Sequence, residues 1–177
     1  IGCGWGGLAE HAARHYAVQV VGLTISREQA QLARQRCVGL PVDIRLQDYR
    51  ELDGRFDKIA SVGMFEHVGR KNDAAFFDTT AQLLKEDGLF LLHTIGTSVA
   101  NPVNDPWIDR YIFPNGELPN AERLARAWRP RFVLEDWHAF GPDYDRTLMA
   151  WWACGSTICT ARRGSSVRAT AISGSWC

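Results

Sequence analysis

The sequence lacks several features that mark whole classes of protein. It has no apolar run near the roughly 18 residues that a bilayer-spanning helix needs, and no basic start followed by an apolar stretch, as a signal peptide would show. It has no excess of charge, because 20 Lys and Arg balance 20 Asp and Glu, which removes the usual electrostatic argument for nucleic acid. We therefore expect no transmembrane segment and no nucleic-acid partner.

The cysteines do not form the framework of a disulfide-rich domain. Five are present, an odd number at irregular spacing, and we predict that they stay reduced in a cytoplasmic protein. No third or fourth ligand stands at a recognisable spacing beside any histidine or cysteine, so we predict no metal site.

The composition is that of a folded domain, with 46% hydrophobic, 23% charged and 11% aromatic residues in a chain of 177. Apolar periodicity predicts helices at 6–15, 26–36, 72–88 and 122–128, and strands at 18–24, 42–46, 56–62, 89–94 and 132–137. A loop rich in Pro and Asn is expected at 101–119. Because strands and helices alternate, we predict an α/β fold, a mostly parallel sheet with helices on both faces.

The two ends of the chain depart from this pattern. Ile1 leads at once into a glycine-rich turn that makes sense only after a strand, so we expect the strand that delivers Gly2 to lie before Ile1. After Ala153 the sequence is rich in Ser, Thr, Gly and Arg, with no acidic residue and no apolar period. We therefore predict one domain at 1–153, incomplete at both ends, and a disordered tail at 154–177.

The glycine-rich turn is the first chemical feature. Gly2, Gly4 and Gly7 fit the dinucleotide-binding spacing, whereas Gly2, Gly4 and Gly6 fit the tighter spacing common in methyltransferases. In either case the absent side chains let a ligand approach the backbone at the N-terminus of a helix. The turn alone is a weak indication, because glycines also serve close packing of helix against sheet.

The ends of the next two strands argue against an ordinary NAD site. Such a site would have an acid roughly 20 residues beyond the turn, where this sequence has Thr24, and the nearest acid is Glu28. Thr24 and the amide of Gln29 can instead hold a ribose or an amino-acid group. Asp48 and Tyr49 follow the strand at 42–46, where a carboxylate can accept from an adenine amino group and a ring can flank the base. The alternative for Asp48 is a turn cap.

Titratable residues also lie at the carboxyl ends of two later strands. Glu66 follows the strand at 56–62, and His93 lies near the end of the strand at 89–94. Ligands of parallel sheets bind outside these ends, so both residues belong at the edge of the site, where each can tune the protonation of the other. A lone histidine there is more often a hydrogen-bonded structural residue, and we interpret His67 in that way.

Longer runs are more specific than these single positions. They are IGCGWGGLA, VVGLTIS, QDY, SVGMFEHVG, LLHTIG, DPWIDRYIFPNG, EDWHAFGPDYD and TLMAWW. In these runs the chain resembles the cyclopropane-fatty-acyl-phospholipid synthase family of S-adenosylmethionine-dependent methyltransferases, almost without a break from Ile1 to Ala153. The resemblance implies a class I methyltransferase fold. Beyond Ala153 the family pattern would continue into a charged and aromatic helix, so we interpret the tail as the product of a shifted reading frame.

The resemblance also implies roles for particular residues. The S-adenosylmethionine pocket would be formed by Gly2, Cys3, Gly4, Trp5, Gly6, Thr24, Gln29, Asp48 and Tyr49. A bicarbonate ion would be bound by Glu66, His93, the backbone at Ile95, and Tyr144. Glu66, His93 and Tyr144 would be the catalytic residues.

The implied reaction is methyl transfer from S-adenosylmethionine to a cis double bond in a phospholipid acyl chain, followed by closure of a cyclopropane ring. The implied partner is an unsaturated phospholipid at the membrane surface, with the protein peripheral to the inner face; a homodimer is left open. Two alternatives also stay open. One is a related fatty-acid methyltransferase that does not close a ring, and the other is an inactive fragment or pseudogene product.

Overall fold

The chain folds into alternating strands and helices. The computed structural model describes residues 1–98, 106–111, 114–143, 145–146, 149 and 168–176. Within these ranges the strands are β1 (Val20–Thr24), β2 (Val42–Leu46), β3 (Phe56–Val62), β4 (Leu84–Gly96), β5 (Phe132–Ala139) and β6 (Arg168–Trp176). The α-helices are α1 (Gly7–Tyr16), α2 (Arg27–Arg36), α3 (Asp73–Leu83), α4 (Pro106–Tyr111) and α5 (Ala121–Trp128). Among the helices within these ranges, none has both the length and the apolar composition of a membrane-spanning segment.

The strands form two hydrogen-bonded groups. β1 and β2 are parallel, and β3 and β4 are parallel within a second group whose order is β3-β4-β6-β5. β6 is antiparallel to both of its neighbours. A helix joins the strands of each parallel pair, α2 in the first and α3 in the second, as crossover connections require. The α/β architecture predicted from alternation is therefore confirmed, with β6 as the antiparallel member.

The first three residues lie between the two groups of strands. The Ile1 nitrogen donates to the carbonyl of Ala60 in β3 at 2.7 Å. The Cys3 N–H donates to the carbonyl of Leu23 in β1 at 2.6 Å. One end of this short segment thus pairs with β3 and the other with β1, so its backbone joins the two groups.

The larger core joins β3, β4, α3 and α5. Its centre is a group of tilted and edge-on phenylalanine rings whose neighbouring centroids lie 5.1 to 6.2 Å apart, an arrangement that aromatic quadrupoles favour. The rings are those of Phe65, Phe76, Phe77, Phe90 and Phe132. Phe65 is fully buried and belongs to a short 3₁₀ turn, Phe65–His67, that follows β3. The core therefore anchors the turn that carries Glu66.

The boundary between α3 and β4 differs from the prediction. Periodicity predicts a helix as far as residue 88, but α3 ends at Leu83 and β4 begins immediately. Leu84 is 2% exposed and pairs with Phe56 of β3, so it reaches the core from a strand. Here strand pairing outweighs the local helical pattern. The loop predicted at 101–119 likewise contains a helix, α4.

The tail also differs from the prediction. Disorder is predicted after Ala153, whereas Arg168–Trp176 forms β6 and lies between β4 and β5. A backbone ladder needs no apolar period, and this segment has Thr, Ala, Ile and Ser without Pro, so it can occupy that position. Residues 154–167 lie outside the described part, and the domain boundary and the shifted reading frame stay predictions.

We expect a β-forming extension before Ile1 to stabilise the fold. About five apolar β-branched residues added before Ile1 would form a strand between β1 and β3. Each backbone hydrogen bond of that strand contributes about 0.5–1.5 kcal/mol net to the free energy of unfolding. Urea unfolding should show a free energy of unfolding higher by roughly 2 kcal/mol or more. The control is an extension of Gly and Ser, and an equal rise with it would contradict the strand-pairing explanation.

Candidate active site

The backbone conformation of the glycine turn distinguishes Gly6 from Gly7. Gly2, Gly4 and Gly6 have φ values of 71°, 53° and 82°, in the left-handed region that favours glycine, whereas Gly7 does not. A Cβ on Gly6 would lie 2.8 Å from the Cβ of Ala33, so Gly6 lets the turn pack against α2. A Cβ on Gly4 would meet no atom of the described residues within 4 Å. The conformational demand thus follows the methyltransferase spacing, and Gly4 leaves the backbone open to a ligand.

Hydrogen bonds hold the rest of the turn in place. The Gly6 N–H donates to the Cys3 carbonyl at 3.1 Å, and Arg36 Nη1, from the end of α2, donates to the Trp5 carbonyl at 3.1 Å. Burial raises the pKa of the Cys3 thiol, and contact of Cys3 with a cofactor stays a prediction. Trp5 is 51% exposed, so much of its indole ring is accessible.

At the end of β1, Thr24 orients Gln29. The Thr24 hydroxyl donates to Gln29 Oε1 at 2.7 Å and accepts from the Ser26 N–H at 3.2 Å. Ser26 in turn caps α2 by accepting from the Gln29 N–H. With its oxygen bound to Thr24, the Gln29 side chain keeps its NH2 group as a donor. The structure therefore brings these two predicted pocket residues together.

At the end of β2, Asp48 acts as a turn cap. Its Oδ1 accepts from the Arg50 N–H at 2.9 Å, and the Arg50 guanidinium binds the two carboxylate oxygens at 3.0 and 2.6 Å. The Arg50 side chain holds the pKa of Asp48 below its usual range. Tyr49 packs edge-on against Phe76 with ring centroids 5.5 Å apart, and burial raises its pKa. Both residues have structural partners, and contact of either with a cofactor stays a prediction.

Glu66 is a buried carboxylate with one oxygen bound and the other unsatisfied. The residue is 6% exposed and lies in the 3₁₀ turn after β3. Its Oε1 accepts from the Ile95 N–H at 2.6 Å. Its Oε2 is buried and has no hydrogen-bond partner within the described part of the chain. Because an unsatisfied buried polar atom costs roughly 1–3 kcal/mol, the carboxylate calls for a further partner.

His93 lies on β4 beside the same turn. It is paired in register with Val62, and its carbonyl accepts from the Gly63 N–H at 2.9 Å. The chain after β3 therefore runs across residues 93–95 of β4, which brings His93 and Glu66 to one edge of the sheet. Nδ1 of His93 is also buried, and no partner for it occurs among the described residues.

The four predicted bicarbonate ligands differ in where the structure places them and in the partners that they have. Glu66 and His93 lie at one edge, and each has a buried atom without a hydrogen-bond partner in the part of the chain that the structure describes. The Ile95 N–H lies beside them but donates to Glu66, so in this structure it orients the carboxylate. Tyr144 lies outside the described residues. Its place in the site, and the catalytic roles of the other residues, stay predictions.

The residues that hold the backbone of Glu66 were not singled out in the sequence analysis. The Glu117 N–H donates to the Glu66 carbonyl at 2.8 Å. The Glu117 carboxylate lies 3.4 Å from Arg123 Nη1, and Arg123 forms a buried ion pair with Asp73. Asp73 and Arg123 are 50 residues apart and start different helices, so no spacing rule indicates that they meet. For Asp73 the indication in the sequence is a carboxylate at an otherwise apolar helix start, whereas Arg123 follows Glu122 and nothing in the sequence distinguishes it.

Comparison with known proteins identifies the family. The family described as mycolic acid cyclopropane synthetase matches residues 1–156. The chain belongs to this family. A relative within it, the cyclopropane-fatty-acyl-phospholipid synthase of Escherichia coli strain K12, is 58% identical over 152 residues, which are 86% of this chain and 40% of that protein. A probable fatty acid methyltransferase of Pseudomonas putida is 43% identical over 164 residues, covering 85% of this chain and 41% of that protein.

Solved structures of the mycolic acid cyclopropane synthetase family share the fold. The cyclopropane synthase MmaA2 from Mycobacterium tuberculosis has a TM-score of 0.81 at 26% identity, covering 99% of this chain and 76% of that chain. The mycolic acid cyclopropane synthase CmaA1, complexed with SAH and CTAB, has a TM-score of 0.83 at 25% identity and the same coverage. The expected class I methyltransferase fold is confirmed. The chain spans about two fifths of the length of the curated relatives named above.

We expect Gly6→Ala to destabilise this fold more than Gly4→Ala. Both changes place a Cβ at a positive φ, which costs an L residue roughly 1–2 kcal/mol. Gly6→Ala also forces a contact of 2.8 Å with the Ala33 Cβ, whereas Gly4→Ala meets open space. Thermal unfolding measures the difference. The control is Gly39→Ala, a left-handed position with nothing around it among the described residues, and equal losses in all three variants would contradict the packing role of Gly6.

Proposed function

We propose that this chain is the cofactor-binding and catalytic domain of a methyltransferase that converts a cis double bond of a phospholipid acyl chain into a cyclopropane ring. The observation that carries the proposal is the Glu66 carboxylate, which is buried after the end of β3 and oriented by the Ile95 N–H, and whose second oxygen has no hydrogen-bond partner among the described residues. The 58% identity to the cyclopropane-fatty-acyl-phospholipid synthase of E. coli supports the substrate class.

The glycine turn and the residues at the ends of β1 and β2 fit S-adenosylmethionine as cofactor. The backbone at Gly4 is open, because a Cβ there would have no described atom within 4 Å, and its positive φ favours glycine. Thr24 and Gln29, already hydrogen-bonded to each other, would hold the ribose or the amino-acid group. Asp48 and Tyr49 would meet the adenine. When bound, the cofactor supplies an electrophilic methyl group on a sulfonium.

A bicarbonate ion fits the two unsatisfied atoms at the edge of the sheet. Oε2 of Glu66 is an acceptor and suits a hydroxyl group, while His93 Nδ1 is a donor in the tautomer that carries its proton there. Ile95 would contribute by holding Oε1 of the carboxylate, and Tyr144 would complete the set. When bound, the ion supplies a base for proton removal.

The chemistry explains why a buried, oriented carboxylate is useful. Methylation of an alkene leaves positive charge on the second alkene carbon, so water must be kept out. Burial of Glu66 separates it from bulk water and strengthens the hydrogen bonds that it makes. Its role is to hold the base in one orientation while the new methyl group loses a proton and the ring closes.

The partner that follows from this reaction is an unsaturated phospholipid at a membrane surface. The names of the relatives, a phospholipid synthase and a probable fatty acid methyltransferase, support a lipid substrate. Peripheral attachment at the inner face and assembly as a homodimer are further parts of the proposal, to be tested by sedimentation with vesicles and by light scattering.

A methyltransferase that leaves a methyl branch is the second candidate, because the probable fatty acid methyltransferase of P. putida is 43% identical. The two reactions share the methyl transfer and differ in ring closure. The test is incubation with labelled S-adenosylmethionine and unsaturated phospholipid vesicles. A cyclopropane product resists mild hydrogenation, whereas a branched alkene takes up hydrogen. If no lipid becomes labelled, both candidates fail and the inactive-fragment alternative stands.

We expect cofactor affinity to depend on how firmly the glycine turn is anchored. The turn is anchored by Ile1 on β3 and Cys3 on β1. The β-forming extension before Ile1 should therefore tighten binding of S-adenosylmethionine by about tenfold or more, which is about 1.4 kcal/mol. Titration calorimetry of the chain with and without the extension measures the change. Tight binding by the unextended chain, with no gain on extension, would contradict this dependence.

In an enzyme completed by the extension before Ile1, we expect Glu66→Gln to lower kcat by about 10²–10⁴-fold, the usual range of general-base assistance. Glutamine keeps the size and can still accept from the Ile95 N–H, but its NH2 group removes the second acceptor. Affinity for S-adenosylhomocysteine should stay unchanged, because the change acts on proton removal.

The matched control for this variant is Glu86→Gln, an exposed acid on β4. Turnover on phospholipid vesicles and calorimetry with S-adenosylhomocysteine are compared for the two variants. A loss of kcat below about tenfold in Glu66→Gln would count against the assigned role.

A further inference from the structure

A buried ion pair lies behind Glu66. Arg123 Nε and Nη2 donate to the two carboxylate oxygens of Asp73 at 2.5 and 2.8 Å. This bidentate arrangement fixes the plane of the guanidinium relative to the plane of the carboxylate. The Arg123 and Asp73 side chains are only 10% and 8% exposed. Asp73 begins α3 and Arg123 lies in the first turn of α5, so the pair joins the starts of two helices.

The pair reaches Glu66 by two routes. Arg123 Nη1 lies 3.4 Å from Glu117 Oε2, and the Glu117 N–H donates to the Glu66 carbonyl at 2.8 Å. The guanidinium carbon of Arg123 also lies 6.0 Å from the ring centroid of Phe65, the residue directly before Glu66. The same Glu117 oxygen accepts from the Arg70 N–H at 2.8 Å, which ties it down on its other side. Arg123 therefore contacts both neighbours that set the backbone at Glu66.

Stability alone is a weak explanation for such a pair. Taking two charges out of water is unfavourable, and apolar side chains of similar size often stabilise a buried position more. What a guanidinium and a carboxylate provide is a defined geometry, because the bidentate fork permits one arrangement. Catalytic groups need that definition, since they must be held within about 0.5 Å of the productive position.

We propose that Arg123 is a positioning residue for Glu66, held by Asp73 and acting through Glu117 and Phe65. The network fixes the backbone of the 3₁₀ turn so that Glu66 Oε1 meets the Ile95 N–H and Oε2 keeps one direction. This inference rests on the proposed function of Glu66. The hydrogen bond that it concerns, however, is present without substrate and can be measured without turnover.

The amide proton of Ile95 reports on this hydrogen bond in the full chain. A short bond to a carboxylate, here 2.6 Å, moves an amide resonance downfield and slows its exchange with solvent. Glu117→Gln and Arg123→Met should move the Ile95 resonance upfield and speed its exchange by about fivefold or more. Glu66→Ala removes the acceptor and sets the limit of the shift.

The matched control is Asp78→Asn. Asp78 forms an ion pair with Arg131, which joins α3 to the start of β5 instead of to the Glu66 turn. This variant should leave the Ile95 resonance in place. If Arg123→Met does not fold, Glu117→Gln tests the proposal instead. The Glu117 side chain is 51% exposed, and removing its charge leaves Arg123 paired with Asp73, so no buried charge loses its partner.

Turnover on phospholipid vesicles is the second readout. Glu117→Gln and Arg123→Met should lower kcat by about tenfold with little change in KM for lipid, as expected when only the reacting geometry is disturbed. They should also raise the bicarbonate concentration needed for half-maximal activity. Arg123→Lys keeps the charge but not the fork, so it should restore only part of the activity.

The outcomes separate this inference from the proposed function. An unchanged Ile95 resonance in folded Glu117→Gln overturns the positioning role, and so does a shifted resonance with unchanged kcat. If Glu66→Gln stops turnover while the network variants do not change it, the inference fails and the proposed function stands. If Glu66→Gln itself keeps full activity, the proposed function fails.

Discussion

Two backbone hydrogen bonds in the first three residues set the geometry of the functional edge. Ile1 is bound to Ala60 of β3, and Cys3 is bound to Leu23 of β1. The glycine turn follows at once, so these bonds fix its position relative to both strands. Because parallel strands end at one edge of a sheet, the same constraint brings the open backbone of the turn to the edge where Glu66 lies. The candidate cofactor pocket and the candidate catalytic carboxylate therefore depend on one short segment.

The charges of this chain differ in what they do. Exposed pairs such as Glu122–Arg126, with side chains 66% and 79% exposed, contribute little to folding because water and salt screen them. The buried charges are concentrated around the 3₁₀ turn after β3, where Glu66, Asp73 and Arg123 lie within one connected network. A buried charge is unfavourable unless it is paired and hydrogen-bonded. The charges around this turn therefore have defined partners, although the chain as a whole is electrically neutral.

Local patterns predicted most of the elements well, and failed where a distant partner decides the structure. The strands at 42–46 and 56–62 have the predicted bounds, and Ser26 caps α2 as expected, because an alternating run and a capping side chain act within a few residues. Leu84 fits a helical pattern, yet it pairs with Phe56 and starts β4. β6 has no apolar period, and its place depends on the two strands that flank it.

Residue order alone is enough to indicate the groups available for chemistry and the family to which the chain belongs. Closely spaced glycines, a carboxylate after one predicted strand and a histidine at the end of the next are visible in local order. The partners of these groups depend on tertiary packing. Asp48 became a turn cap, the Ile95 amide took one oxygen of Glu66, and Arg123 came to lie behind that carboxylate. Such pairings join residues that are distant along the chain, because a buried polar atom takes whichever partner the packing brings within reach.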